Sequence, residues 1–99
     1  MTTDVKKSLK ILAVCGMGLG SGLVLRMSVD KVLKELNIKA TTAVSDVASA
    51  KGERADIIVT SSEFEKSLVG TGAKVITIKN YVDLNEIRTK LSEALGEVN

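Results

Sequence analysis

Histidine and proline are absent from the 99-residue chain, cysteine occurs once, at Cys15, and the aromatics are a single Phe and a single Tyr. Without histidine the commonest general base near neutral pH is missing, together with every internal Cys-His or Ser-His dyad. The usual zinc ligand sets cannot be assembled from one such chain, so neither a metal nor a cofactor is expected. A lone cysteine forms no intramolecular disulfide. Two aromatics leave almost no platform for base stacking, and the 14 basic and 12 acidic side chains, net +2, are scattered rather than gathered into a basic stripe. Nucleic acid is therefore not an expected partner. The longest unbroken apolar stretch, Ile11-Leu12-Ala13-Val14-Cys15, falls far short of the roughly 20 residues that cross a bilayer, so no direct membrane insertion is expected.

What is present is enough apolar residue, 44%, for one core and one domain. The start, Met1 to Lys7, carries basic residues without an apolar stretch before a cleavage site, unlike a secretory signal. Residues 1–8 are expected to be a disordered lead-in and 9–99 a single domain.

Strand-length apolar segments alternate with segments of helical period, the pattern of βαβ units and a parallel sheet. Lys10 to Val14 reads as the first strand. Leu25, Val29, Val32, Leu33 and Leu36 then recur at spacings of three and four, with Arg26, Asp30, Lys31, Lys34 and Glu35 opposite, which predicts an amphipathic helix from Gly22 to Leu36 closed by Asn37. Lys39 to Val44 reads as an edge strand, and Ser45 or Asp46 as the cap of a short helix through Lys51. Asp56 to Thr60 is apolar on both faces and suits a central strand. Ser62-x-x-Glu65 and Asp83-x-x-Glu86 have the form of capping boxes, and Ala73 to Ile78 reads as the fourth strand. Leu84, Ile87, Leu91 and Leu95 give the terminal helix its buried stripe. Right-handed crossovers lead to an α/β fold: three αβα layers around a four-stranded parallel sheet of order 2-1-3-4, Rossmann-like. Ligands of such sheets bind beyond the carboxyl ends of the strands, where Cys15 falls.

The segment Cys15-Gly16-Met17-Gly18-Leu19-Gly20-Ser21-Gly22 holds four of the eight glycines. Glycines between a strand and a helix allow positive φ and turn N–H groups inward, and with the helix N-terminus they form a nest for a tetrahedral anion. The same field favours the thiolate form of a sulfur at its centre. A cysteine at a strand end also serves as a small buried apolar residue, and a glycine-rich turn also serves close strand-to-helix packing. The succession of strand, Cys, glycine loop and capped helix favours a reactive Cys15. A Walker loop is excluded because no glycine precedes lysine in its frame, and a dinucleotide fingerprint fails because Ser21 or Leu23 stands where its third glycine belongs.

The run Ile11-Leu12-Ala13-Val14-Cys15-Gly16-Met17-Gly18-Leu19-Gly20-Ser21-Gly22 resembles the phosphorylation site of the enzyme IIB components of the bacterial phosphoenolpyruvate-dependent sugar phosphotransferase system (PTS). Its C-G-x-G-x-G-S spacing is most similar to the ascorbate-type branch. The resemblance implies a fold like that of low-molecular-weight tyrosine phosphatases and a phosphocarrier function. A IIA protein would donate a phosphoryl group from its phosphohistidine to Cys15, and Cys15 would pass it to a sugar held by the membrane IIC component. Cys15 is then the nucleophile, while Gly16, Met17, Gly18, Leu19, Gly20, Ser21 and Gly22 hold the phosphoryl oxygens, largely through backbone N–H groups. Ser21, at the expected helix N-cap, either adds a hydroxyl donor or simply caps. Because phosphohistidine already has a good leaving group and phosphoryl transfer asks mainly for positioning and charge neutralisation, no histidine base is needed.

Two rivals stay open. A low-molecular-weight phosphatase or arsenate-reductase-like enzyme resembles the same design, but its C-x-x-x-x-x-R-[ST] loop would need arginine where Ser21 stands, and Arg26 comes too late. A non-enzymatic anion-binding regulatory module would use the same nest. Among lesser features, Met17 and Leu19 are expected either to contact partner proteins or to fold onto the core. The turn Thr60-Ser61-Ser62 follows the third strand at the same edge of the sheet as the loop, where it borders the site or merely caps. Tyr81 and Phe64 are expected to pack, and Arg26, Lys31 and Lys34 to form a solvated face or to steer an acidic IIA surface.

Overall fold

The computed structural model describes residues 9–15 and 19–98, with the backbone alone for 19, 97 and 98. The expected lead-in at 1–8 and the loop residues Gly16, Met17 and Gly18 lie outside the described residues. Four strands, β1 (Leu9–Val14), β2 (Ala40–Ser45), β3 (Ile57–Thr60) and β4 (Lys74–Thr77), form a parallel sheet in the order β2-β1-β3-β4. Helix α1 (Leu19–Glu35) and the terminal helix α4 (Leu84–Val98) cover one face. Two single-turn helices, α2 (Val47–Ala50) and α3 (Glu65–Leu68), cover the other.

Alternation along the central strands sorts the core. Ile11 and Ala13 of β1 and Ile57 and Val59 of β3 pack beneath α1 and α4 with Leu25, Val29, Val32, Ile87 and Leu91. Leu12, Val14 and Ile58 point to the opposite face, against Ala50 and Leu68. Strands apolar on both faces have no solvated side, and that places β1 and β3 at the centre of a covered parallel sheet. Each large side chain so buried contributes about 1.5–3 kcal/mol. Phe64 and Tyr81 pack against the two core faces, as expected.

The caps show where local sequence chemistry prevails and where it yields. Asn37 takes the left-handed conformation at φ 59°, and the bonds Asn37 N–H to Lys34 O and Ile38 N–H to Leu33 O, 3.1 and 2.9 Å, close α1 in a Schellman arrangement. Asp46 caps α2 by accepting from Ser49 N–H at 2.7 Å, and those contacts hold its carboxyl below the usual range. Asp83 accepts from Glu86 N–H at 3.1 Å, the first half of the expected box. The second half is diverted, because the Glu86 carboxylate turns to the N–H groups of Lys79 and Asn80 in the β4–α4 connection. At the expected Ser62-x-x-Glu65 box the structure differs: the 3₁₀ turn Ser62–Phe64 begins one residue earlier than a Ser62 cap allows, and its capping residue, Ser61, makes no side-chain capping bond.

The start of α1 is also earlier than expected. The apolar periodicity marks Gly22 as the first helical residue, whereas the helix begins at Leu19, so Ser21 lies inside its first turn and is not the N-cap. Gly20 and Gly22 are likewise helical. Positive φ among the described residues is confined to Asn37, Gly70 and Gly72. Side-chain periodicity registers the buried stripe, and from Gly20 to Val24 α1 buries no apolar side chain that would reveal its start.

Candidate functional site

β1 ends at Val14, and Cys15 follows with its backbone N–H donating to Ser45 O of β2 at 3.2 Å. On the other side the buried Thr60 hydroxyl donates to Val14 O at 2.9 Å. The residue before the cysteine is thus anchored from β3 and the cysteine itself from β2. By strand alternation Cys15 falls on the face of Ile11 and Ala13, beneath α1.

A single glycine sets how closely the helix approaches. A Cβ on Gly22 would lie 2.6 Å from Val44 Cγ1 and 3.6 Å from Cys15 Cβ, so the first turn of α1 rests directly on β2 and on the cysteine. At Gly20, by contrast, a Cβ would meet nothing within 4 Å. The two glycines that sequence spacing treats alike therefore do different things, one enabling close packing and the other lying exposed.

The N–H groups of Leu19, Gly20 and Ser21 have no helical carbonyl one turn earlier to bond, and they gather at the positive end of the α1 dipole. Cys15 is thereby placed beside the helix end that carries them. It is partly buried and in no disulfide. Of the expected phosphoryl-binding residues, the structure brings Gly22 up to Cys15, while Gly20, Ser21 and the backbone of Leu19 belong to the same first turn of α1. Gly16, Met17 and Gly18, and the Leu19 side chain, lie outside the described residues.

Arg26, the nearest arginine to the loop in sequence, is engaged elsewhere. Its Nε donates to Thr42 Oγ1 at 3.0 Å and lies 3.8 Å from Asp30, whose carboxylate accepts from the same Thr42 hydroxyl at 2.7 Å. These contacts tie its guanidinium to β2. Among the described residues no cluster of three His, Cys, Asp or Glu side chains is positioned to hold a metal.

One surface feature escaped the periodicity. Leu23, Val24 and Met27, 48, 41 and 59% exposed, form an apolar patch on the N-terminal half of α1, just beyond the turn that rests on Cys15. The inward stripe marks the residues that pack and says nothing about which outward positions are apolar. Reading the outward positions for hydrophobicity would have found the patch.

Comparison with known proteins agrees with this architecture. The profile of the family described as PTS system, Lactose/Cellobiose specific IIB subunit, matches residues 10–93. The ascorbate-specific PTS system EIIB component of Mycoplasma pneumoniae is 36% identical over 95 residues, spanning 90% of this chain and 97% of that protein. Its counterpart in Salmonella typhimurium is 36% identical over 93 residues, covering 91% and 92%. Among solved structures, the lactose-specific IIB domain from Streptococcus pneumoniae superposes with a TM-score of 0.66 at 15% identity, covering 91% of this chain and 97% of that one. An enzyme IIB subunit from Escherichia coli gives 0.56 at 15% identity, covering 95% of both chains. At such identities these two structures speak for the fold, that of low-molecular-weight phosphatases, while the profile and the sequence relatives speak for the family. The chain belongs to the IIB components of the PTS and is, as they are, a phosphotransferase.

Proposed function

We propose that Cys15 is the phosphoryl carrier of a PTS that takes up L-ascorbate. In the first step the Cys15 sulfur attacks the phosphorus of a IIA phosphohistidine: the S–P bond forms, the N–P bond breaks, the imidazole leaves with the bonding pair, and the thiol proton passes to solvent. In the second, a hydroxyl of the sugar held by the membrane IIC component attacks the same phosphorus: the O–P bond forms, the S–P bond breaks, Cys15 leaves as the thiolate with the bonding pair, and the hydroxyl proton passes to solvent. Both steps exchange one nucleophile for another at a tetrahedral dianion, so the protein's task is to position it and neutralise its oxygens. The backbone N–H groups from Gly16 to Gly22 take that role.

The observation that carries this reading is the close approach of the first turn of α1 to Cys15, which sets the sulfur-bearing residue beside the positive N-terminal end of a helix. The ascorbate specificity rests on the names of the relatives that match over about nine-tenths of the chain. Among the described residues no helix is long and apolar enough to cross a membrane. In this reading the protein works at the cytoplasmic face, as a single IIB domain over 9–99 that meets IIC only by docking. The exposed Leu23, Val24 and Met27 follow the turn of α1 that approaches Cys15, and in this reading they belong to the face that the partners approach.

The test is transfer of label from phosphoenolpyruvate through the general PTS proteins and a IIA partner to this chain, in wild type and Cys15→Ser. Label on the wild type and none on the folded variant is expected; a Cys15→Ser protein that still accepts label overturns the assignment.

A further inference from the structure

Ser61 carries a hydroxyl that the fold leaves unused. Its oxygen is buried and, among the described residues, has no hydrogen-bond partner, although the residue occupies the capping position of the 3₁₀ turn, where a serine ordinarily bonds a backbone N–H. A buried hydroxyl without a partner is costly, and a native structure that keeps one invites a reason.

Its position supplies that reason. β1 and β3 pair in the register Ile11↔Ile57, Leu12↔Ile58 and Ala13↔Val59. Carried two residues further, the register sets Ser61 opposite Cys15, and the bond from Thr60 Oγ1 to Val14 O shows that the strands are still together at the step between. The Ser61 backbone remains extended, φ −96° and ψ 160°, so the alternation of β3 continues through it. Ser61 thus falls on the face of Ile57 and Val59, as Cys15 falls on the face of Ile11 and Ala13, and the two faces are the same one, beneath α1 and α4. Neighbouring strands lie about 4.8 Å apart, within the span of a phosphoryl group on one side chain reaching a hydroxyl on the next.

We propose that the Ser61 hydroxyl donates a hydrogen bond to a phosphoryl oxygen carried by Cys15, closing the anion site from the side opposite the α1 N-terminus. In the unphosphorylated protein the donor waits unpaired; arrival of the tetrahedral group satisfies it. The proposal rests on the phosphocarrier reading and adds a side-chain donor, just beyond β3, to the main-chain amides at the start of α1. Ser62, one residue on, is exposed and already belongs to the 3₁₀ turn.

The experiment compares wild type and Ser61→Ala as full chains, phosphorylated through the general PTS proteins and the IIA partner that labels Cys15. Three quantities are read: the initial rate of labelling, the ³¹P chemical shift of the phosphocysteine, and the thermal midpoint of the unphosphorylated protein. A hydrogen bond to a charged oxygen predicts a labelling rate lower by roughly ten-fold or more and a displaced ³¹P resonance. Because the variant loses a buried, unpaired hydroxyl, its thermal midpoint should hold or rise. Wild type labelled on Cys15, with the variant matching it in rate and resonance, overturns this inference and leaves the carrier reading standing. A slowed variant whose midpoint has fallen assigns Ser61 a structural role and also overturns it. Failure of the wild type to take label on Cys15 removes the carrier reading and this inference together.

Discussion

Gly22 and Gly20 stand two residues apart in the same helical turn, and alanine at each is expected to act in opposite directions. At Gly22 the new methyl meets Val44 Cγ1 at 2.6 Å, well inside contact distance, and valine is too stiff at χ1 to swing away cheaply. Overpacking of this kind costs about 1–3 kcal/mol. Against it stands the preference of a helix for alanine over glycine, about 1 kcal/mol at most so near a helix end. Gly22→Ala should therefore be neutral to about 2 kcal/mol destabilising. At Gly20 nothing lies within 4 Å, so only the helical gain remains. The difference between the two variants is then about 1–3 kcal/mol, which for a domain of this size is a separation of melting temperatures of roughly 4–20 °C. Parallel calorimetric scans measure it. A Gly22→Ala protein that melts with or above Gly20→Ala would show that α1 does not rest on β2 and Cys15 as described. A slowing of phosphoryl acceptance in Gly22→Ala is the accompanying expectation, since relief of the clash moves the first turn away from the sulfur.

Thr60→Val keeps the shape of a buried residue and deletes its hydroxyl, stranding the Val14 carbonyl that it serves at 2.9 Å. Denaturant titration should show a loss of about 1–3 kcal/mol, and an unchanged midpoint would refute the anchoring of the strand end. Glu86 provides a pH-dependent case: burial pushes its carboxyl up, but the N–H groups of Lys79 and Asn80 and the Lys90 ammonium outweigh burial and leave it below the usual glutamate range. A carboxyl depressed by folding contributes stability that is complete above its unfolded value and drains away as pH falls toward the folded one. Glu86→Gln should therefore cost most near neutrality and progressively less in acid, and a stability difference that stays constant from pH 7 to about pH 3 would contradict this.

The sheet was readable because its central strands are apolar on both sides. Ile57-Ile58-Val59 has no polar face to offer solvent, which forces a covered position, and right-handed crossovers then leave β2-β1-β3-β4 as the order found. Asn37, Asp46 and Asp83 act as their side-chain chemistry dictates. The start of α1 is not legible in the sequence because glycine carries no side chain for periodicity to read: the spacing of Gly20 and Gly22 suits a loop, while their backbone is helical. The use of Gly22 depends on Val44, distant in sequence and adjacent in space. The turn after β3 lies at the carboxyl end of the sheet, as the order of elements implies, but local pattern favours Ser62 as its cap. That Ser61 is the buried, unpaired member follows only from the register of two strands 46 residues apart, the separation of the Thr60 to Val14 bond.

The most direct test of the central claim is to locate the phosphoryl group itself. After incubation with the general PTS proteins, a IIA partner and phosphoenolpyruvate, tandem mass spectrometry of peptides from this chain should find the added phosphate on Cys15 alone. A phosphate on any other residue, or an unmodified Cys15 under conditions where the IIA partner is fully phosphorylated, would contradict the account.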